Sequence, residues 1–302
     1  MIIQNEISNC LKQFMFLRKN VTLPIFIFII SFLNIHAQTP LKEKPKNFKG
    51  QVYIYWGYNR GWYSDSDIRF KGTDYNFVLN DVVAKDRPSK VAFDPYLKPD
   101  RMTIPQTDFR IGYFFTEHWS ISLGQDHMKY VMVQNQQVKI NGYIKDSESV
   151  YSNIYYKDDI TLKEDFLIFE HTDGLNYINV ELRRMDSALR LKKYGMTNID
   201  VNFIEGFGAG VMFPRTNCTL LGKERYDEFH ISGYGLSAVA GLNIMFWDCI
   251  FLQSEIKGGF IHMPDIRTTY SEVDRASQQF LYTEFVFLVG AKFRLKNFKA
   301  HK

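Results

Sequence analysis

From Ser232 to Met263 the chain reads SGYGLSAVAGLNIMFWDCIFLQSEIKGGFIHM, two long runs of alternating apolarity joined across Trp247 and Asp248. In the first run Tyr234, Leu236, Ala238, Ala240, Leu242, Ile244 and Phe246 share one parity, while Gly233, Gly235, Ser237, Gly241 and Asn243 share the other. Period two marks a strand, because successive side chains leave a strand on opposite faces. In the second run Ile250, Leu252, Ile256 and Phe260 alternate with Gln253, Glu255, Lys257 and Gly259, with Ser254 and Gly258 on the apolar parity. Both runs exceed the roughly five or six residues of an ordinary soluble strand. A long strand with one apolar face and a second face carrying Gln, Glu and Lys suits a hairpin that crosses a bilayer.

The same period recurs along the chain. Gln51–Trp62 reads as a first strand, with Val52, Ile54 and Trp56 against Tyr53, Tyr55 and Gly57. Phe109, Ile111, Tyr113 and Phe115 alternate with Asp108, Arg110, Gly112 and Phe114, and a tight turn at Thr116, Glu117 and His118 leads into a strand from Trp119 to about Val133. Further strands are expected at Leu175–Arg184, Ile199–Phe213 and Phe280–Leu295. Glu205 shares a parity with Phe203 and Phe207, and a bulge near Gly206 or Gly208 would relieve that conflict. Between these runs lie the polar stretches 63–106, 134–173, 214–230 and 264–278. The first reads as one long loop with a local strand at Tyr75–Leu79, and short alternating pieces in the second, at Val138–Ile144 and Asp165–Phe169, suit a ribbon that extends the hairpin beyond the membrane. The connector Met185–Asn198 has room for a helical turn.

Loop lengths order the strands. The connections after the second and sixth strands are very short and that after the fourth is moderate, whereas those after the first, third, fifth and seventh are long or polar. Short turns at one end and long loops at the other are the habit of outer-membrane barrels, with the short turns periplasmic. The expected fold is therefore all-β, an antiparallel up-and-down transmembrane β-barrel of eight strands, with ten as the alternative if Tyr75–Leu79 and a second loop segment also cross.

At the N-terminus Arg18 and Lys19 precede the apolar run Val21–Ile35, and Ala37 follows. A basic region, a short apolar core and a small residue predict a secretory signal peptide over 1–37, with Met1 or Met15 as the start. A lead-in (38–50), the barrel (51–295) and a tail (296–302) complete the expected organisation. The formal net charge of +4, with no Lys/Arg block, excludes nucleic acid as an expected partner. Cys10, Cys218 and Cys249 form no C-x-x-C and no metal spacing, so neither disulfide nor metal site is expected, and no cofactor.

With the signal peptide, the TEHWS turn, the EGFGAGVMF strand and the closing GAKFRL strand, the chain resembles the small outer-membrane β-barrel proteins of Gram-negative bacteria, particularly of the Bacteroidetes type. The resemblance covers roughly Gln51 to Leu295 and implies residence in the outer membrane, contact with its lipid and lipopolysaccharide, and insertion by the barrel-assembly machinery.

An eight-stranded barrel is just wide enough for its own side chains to fill it. The inward parity collects Asp108, Arg110, Asp126, Glu181, Arg183, Glu255, Lys257, Glu284 and Lys292. Unpaired charge in a dry lumen is costly, so these nine are expected to form a paired network that plugs the barrel. Near the outer rim, Asp126 and His127 end one strand, and Glu170, His171 and Asp173 precede the next. A His beside a carboxylate can act as an oriented general base, so these five are candidate catalytic residues, and His127, His171, Glu170 and Asp173 a candidate metal set. Tyr and Trp beside Asp and Asn, in YNRGWYSDSD from Tyr58 and NIYYKDD from Asn153, suit either an aromatic girdle or an extracellular ligand at the long loops. Three functions follow: a structural, adhesive or surface-binding barrel; a lipid-modifying hydrolase or acyltransferase using the rim His and carboxylates; and a narrow channel.

Overall fold

The computed structural model describes residues 47–90, 92–96, 98, 101, 105–145, 149–190 and 199–294. The expected signal peptide and C-terminal tail lie outside the described residues. In chain order the strands are β1 (Gln51–Tyr63), β2 (Ser66–Lys71), β3 (Tyr75–Val82), β4 (Ala84–Lys85), β5 (Thr107–Phe114), β6 (Trp119–Met132), β7 (Gln137–Ile144), β8 (Asn153–Thr161), β9 (Leu167–Arg190), β10 (Ile199–Met212), β11 (Arg215–Leu220), β12 (Tyr226–Phe229), β13 (Gly233–Phe246), β14 (Ile250–Arg267) and β15 (Arg275–Arg294).

Eight of these close a ring. Antiparallel pairing runs β1–β5–β6–β9–β10–β13–β14–β15, and β15 pairs back to β1 from Tyr63↔Tyr282 to Gln51↔Arg294. Following paired residues from Val52 through Tyr113, Ile121, Leu182, Phe207, Ala238, Gly258 and Thr283 returns to β1 at Trp62, ten residues above the start. That stagger tilts the strands by about 40° from the barrel axis and leaves an interior only side chains can fill. The apolar parity faces outward: Ile121, Leu123, Phe207, Leu236, Leu242 and Phe287 are each about half exposed. Around the ring they make a belt that only a lipid environment accommodates.

The sheet continues above the belt. Here β2 pairs with the start of β15, and β3, β7 and β8 follow outward in turn. On the other side β11 pairs with the start of β9 and β12 with β11, while β4 pairs with the end of β6. Among the described residues, the polar stretches expected as loops thus carry seven short strands, and Tyr75–Leu79 belongs to this extension, not to the membrane-crossing ring. Phe70, Phe77, Tyr130, Phe166 and Phe169 are buried in the extension's own apolar core. A smaller apolar cluster, including Phe48, Tyr53, Phe114 and Phe251, fills the opposite end of the lumen, on the side of the short turns.

Two local expectations are corrected. The strand expected at Leu175–Arg184 is the centre of β9, whose 24 residues absorb the Asp165–Phe169 piece from Leu167 on and take in the first part of the Met185–Asn198 connector, to Arg190; residues 191–198, the rest of the stretch with room for a helical turn, lie outside the described residues. No bulge occurs at Gly206 or Gly208: β10 pairs with β13 without a register shift, and the shift against β9 falls between Val201 and Asn202. Glu205 therefore faces outward with Phe203 and Phe207, opposite Arg184 in the register. The glycines serve the lumen instead. A Cβ on Gly208 would stand 2.5 Å from Cγ of Glu181, and one on Gly210 would stand 2.7 Å from Cβ of Asn179. Gly208 and Gly210 clear the room that the neighbouring lumen side chains on β9 occupy.

Candidate functional site: the filled lumen

Asp108, Arg110, Asp126, Glu181, Arg183, Glu255, Lys257, Glu284 and Lys292 all project inward and are at most 3% exposed. Arg110 on β5 is the hub: Nε donates to the Tyr55 hydroxyl at 2.9 Å, Nη2 to Asn179 Oδ1 at 2.7 Å, and Nη2 lies 3.0 Å from Glu181. Arg183 reaches Glu181 at 2.5 Å with Nε and spans Glu255 with Nη1 and Nη2, a fork-on-fork contact that suits the planar guanidinium. Its guanidinium also lies 5.5 Å over the Tyr55 ring. Lys257 on β14 crosses the lumen to Asp126 at 2.6 Å and Glu181 at 2.9 Å. Neutral amides extend the network downward, with Asn202 donating to Asn243, Asn243 to Gln253 and Gln253 to Glu255.

Desolvating this many charges is expensive, and mutual pairing offsets that cost only when each donor and acceptor is met. Arg110, Arg183 and Lys257 meet Asp126, Glu181 and Glu255 in six close ion-pair contacts. Lys292 lies at the short-turn end, its ammonium 4.5 Å over the Phe48 ring.

The five rim residues do not converge. Asp126 points into the lumen, whereas the adjacent His127 points outward and its Nδ1 meets Asn176 Oδ1 at 2.9 Å. His171 is fully buried in the extension core, with Thr216 Oγ1 3.0 Å from Nδ1 and the Tyr130 and Phe169 rings against it. Burial lowers His171 to about 3, so it is neutral and a poor base at neutral pH. Glu170 pairs with Arg87 at 2.7 Å, and Asp173 pairs with Arg215 at 3.1 Å. Among the described residues no group of three or more His, Cys, Asp or Glu side chains is placed to hold a metal. Of the aromatic motifs, Tyr58 and Trp62 lie on the outward face of β1, and Ile154 and Tyr156 stand exposed on β8, the outermost strand of the extension.

A closed antiparallel ring of eight strands, apolar outside and filled with polar side chains inside, defines an outer-membrane β-barrel protein. No family model matches the chain, and no curated protein matches it. Solved structures similar to it include the outer membrane protein OprG from Pseudomonas aeruginosa, at 12% identity over 83% of this chain and 99% of that one with a TM-score of 0.38. The outer membrane protein AlkL is 12% identical over 85% and 96%, with a TM-score of 0.34. Ail, the attachment invasion locus protein of Yersinia pestis, is 10% identical over 81% and 99%, with a TM-score of 0.31. At similarity this low the assignment rests on the barrel's own pairing and surface.

Proposed function

We propose that this protein is a non-enzymatic outer-membrane barrel of the Gram-negative, Bacteroidetes type, whose plugged ring is a rigid mount and whose extension binds a partner at the cell surface. One observation carries the reading: the lumen is filled from end to end while the elaborated structure lies beyond the membrane. Two apolar cores close the ends, the ion-pair network fills the middle, and the short strands build outward. A channel needs a continuous polar path, and a rim hydrolase needs convergent His and carboxylate groups; neither is favoured by this arrangement. The proposed partners are outer-membrane lipid and lipopolysaccharide around the belt, the assembly machinery, and an extracellular ligand on the extension.

The test compares cells displaying the full protein with cells displaying a barrel in which residues 137–161 are replaced by a short turn. Surface attachment is expected to fall with the deletion while barrel insertion persists, and planar bilayers carrying the full protein are expected to show no conductance steps. Steady single-channel steps, or lipid A whose mass changes when the protein is expressed, would overturn the reading.

A further inference from the structure

The lumen's charges do not balance. Among the described residues the lumen holds five carboxylates, Asp108, Asp126, Glu181, Glu255 and Glu284, against four cations, Arg110, Arg183, Lys257 and, beside Phe48 at the far end, Lys292. The ion pairs of the network use Asp126, Glu181 and Glu255. Asp108 and Glu284 are left over.

Register brings these two into one layer. Glu284 is the ladder partner of Lys257, Lys257 reaches Asp126, and Asp126 is the ladder partner of Asp108. On β1 the lumen-facing residues beside them are Gly57, next to Asp108, Asn59, and Gly61, next to Glu284. With glycine at both ends of that trio, Asn59 is the one β1 side chain between the two carboxylates. Asn59 Nδ2 donates to Asp108 Oδ1 at 3.1 Å. The remaining oxygens have no hydrogen-bond partner: Asp108 Oδ2, both oxygens of Glu284, and Asn59 Oδ1. Glu284 is 0% exposed, and a buried carboxylate without a donor to either oxygen is among the costliest arrangements a protein interior can hold.

We propose that this layer binds one divalent cation of the Ca²⁺ class, held by the carboxylates of Asp108 and Glu284 with the amide oxygen of Asn59. The donor set is all oxygen, with two carboxylates and a neutral amide, which suits a hard cation and not zinc or copper. Its two positive charges match those of the two carboxylates that the ion-pair network leaves out. Because apolar cores close the lumen above and below, the ion enters as the barrel folds and thereafter ties β15 to β1 and β5 across the seam that closes the ring.

The full mature barrel is refolded into detergent micelles with either about 1 mM CaCl₂, the range of weaker calcium sites, or EDTA. Native mass spectrometry is expected to show one Ca²⁺ per wild-type barrel, and the temperature at which the compact gel band is lost is expected to stand about 5 °C higher in CaCl₂ than in EDTA. Asp108→Asn and Glu284→Gln are each expected to lose both the ion and the difference. A wild-type barrel that carries no Ca²⁺ and shows no difference overturns the proposal, and assigns protons to the pair. Variants that retain the bound ion also overturn it, by placing the cation elsewhere. If a variant fails to fold, the wild-type mass and melting comparison decides alone.

Discussion

Lys257 and Asp126 lie 131 residues apart in sequence and 2.6 Å apart across the lumen. Their strands, β14 and β6, are not neighbours in the ring, so this contact braces opposite walls in a way that no backbone ladder does. Removing one partner of a buried pair leaves the other charged and desolvated, at about 3–5 kcal/mol. Lys257→Met is therefore expected to lower the stability of the folded barrel by that order. The combined change Lys257→Met with Asp126→Asn is expected to recover part of the loss, because no uncompensated Asp126 then remains. Urea unfolding in lipid vesicles measures both, and a double variant as unstable as the sum of its singles would contradict the pairing.

Gly124 on β6 makes a second test of the same network. A Cβ there would stand 2.7 Å from Cζ of Arg110 and 2.9 Å from the Phe109 carbonyl oxygen, so Arg110 has to move from Glu181 and Asn179. Gly124→Ala is expected to destabilise the barrel by about 1–3 kcal/mol, the usual range for overpacking. A matching substitution at Gly222, whose Cβ would meet nothing within 4 Å, tests only its backbone φ of +70° and is expected to cost less. Heat-modifiable gel migration ranks the two.

The exposed Cys249 and the buried Cys218 report topology. Cys249 follows the turn in which Trp247 and Asp248 both adopt positive φ, 51° and 58°, at the end of the barrel opposite the extension. A membrane-impermeant maleimide added to intact cells is expected to leave Cys249 unlabelled, and to label it once the periplasm is opened. Cys218, packed in the extension core, has its thiol held well above the ordinary range by burial and is expected to stay unlabelled until the protein is unfolded. Labelling of Cys249 on intact cells would invert the orientation.

Period two makes the ring and its lumen legible in the amino-acid sequence. Asp108, Arg110, Glu181, Arg183, Glu255 and Lys257 sit on the polar parity of long strands, and parity is all that decides which side of a barrel wall a residue faces. The same rule separates Asp126 from His127, and Glu170 from His171, since adjacent strand residues point to opposite faces. Proximity along the chain suggests a rim site that strand geometry forbids. The extension is harder to read because its strands are short and its outermost one, NIYYKDDIT, is exposed on both faces and so carries no alternation. Its pairing partners, β3 with β7 and β2 with β15, come from distant segments, and nothing local signals them. The glycines of EGFGAGV are legible as special positions, but their reason, the room taken by Glu181 and Asn179 on the next strand, is tertiary.

His171 supplies a pH dependence with a definite sign. It lies in the extension, above the apolar belt, and burial lowers it from 6.5 to about 3. One neutral tautomer satisfies both of its contacts, Thr216 at Nδ1 and Gln278 at Nε2. Between those two values the unfolded chain binds a proton that the folded chain refuses, so stability rises with pH there. The contribution is complete above about pH 6.5 and is lost as pH falls toward 3, at up to about 1.4 kcal/mol per pH unit. His171→Gln keeps a hydrogen-bonding side chain but cannot titrate, so its unfolding midpoint is expected to fall less steeply than that of the wild type between pH 6 and pH 4. Parallel slopes for the two proteins in that window would show that His171 is reached by protons in the folded state, and with that the closed extension core would have to be opened to solvent.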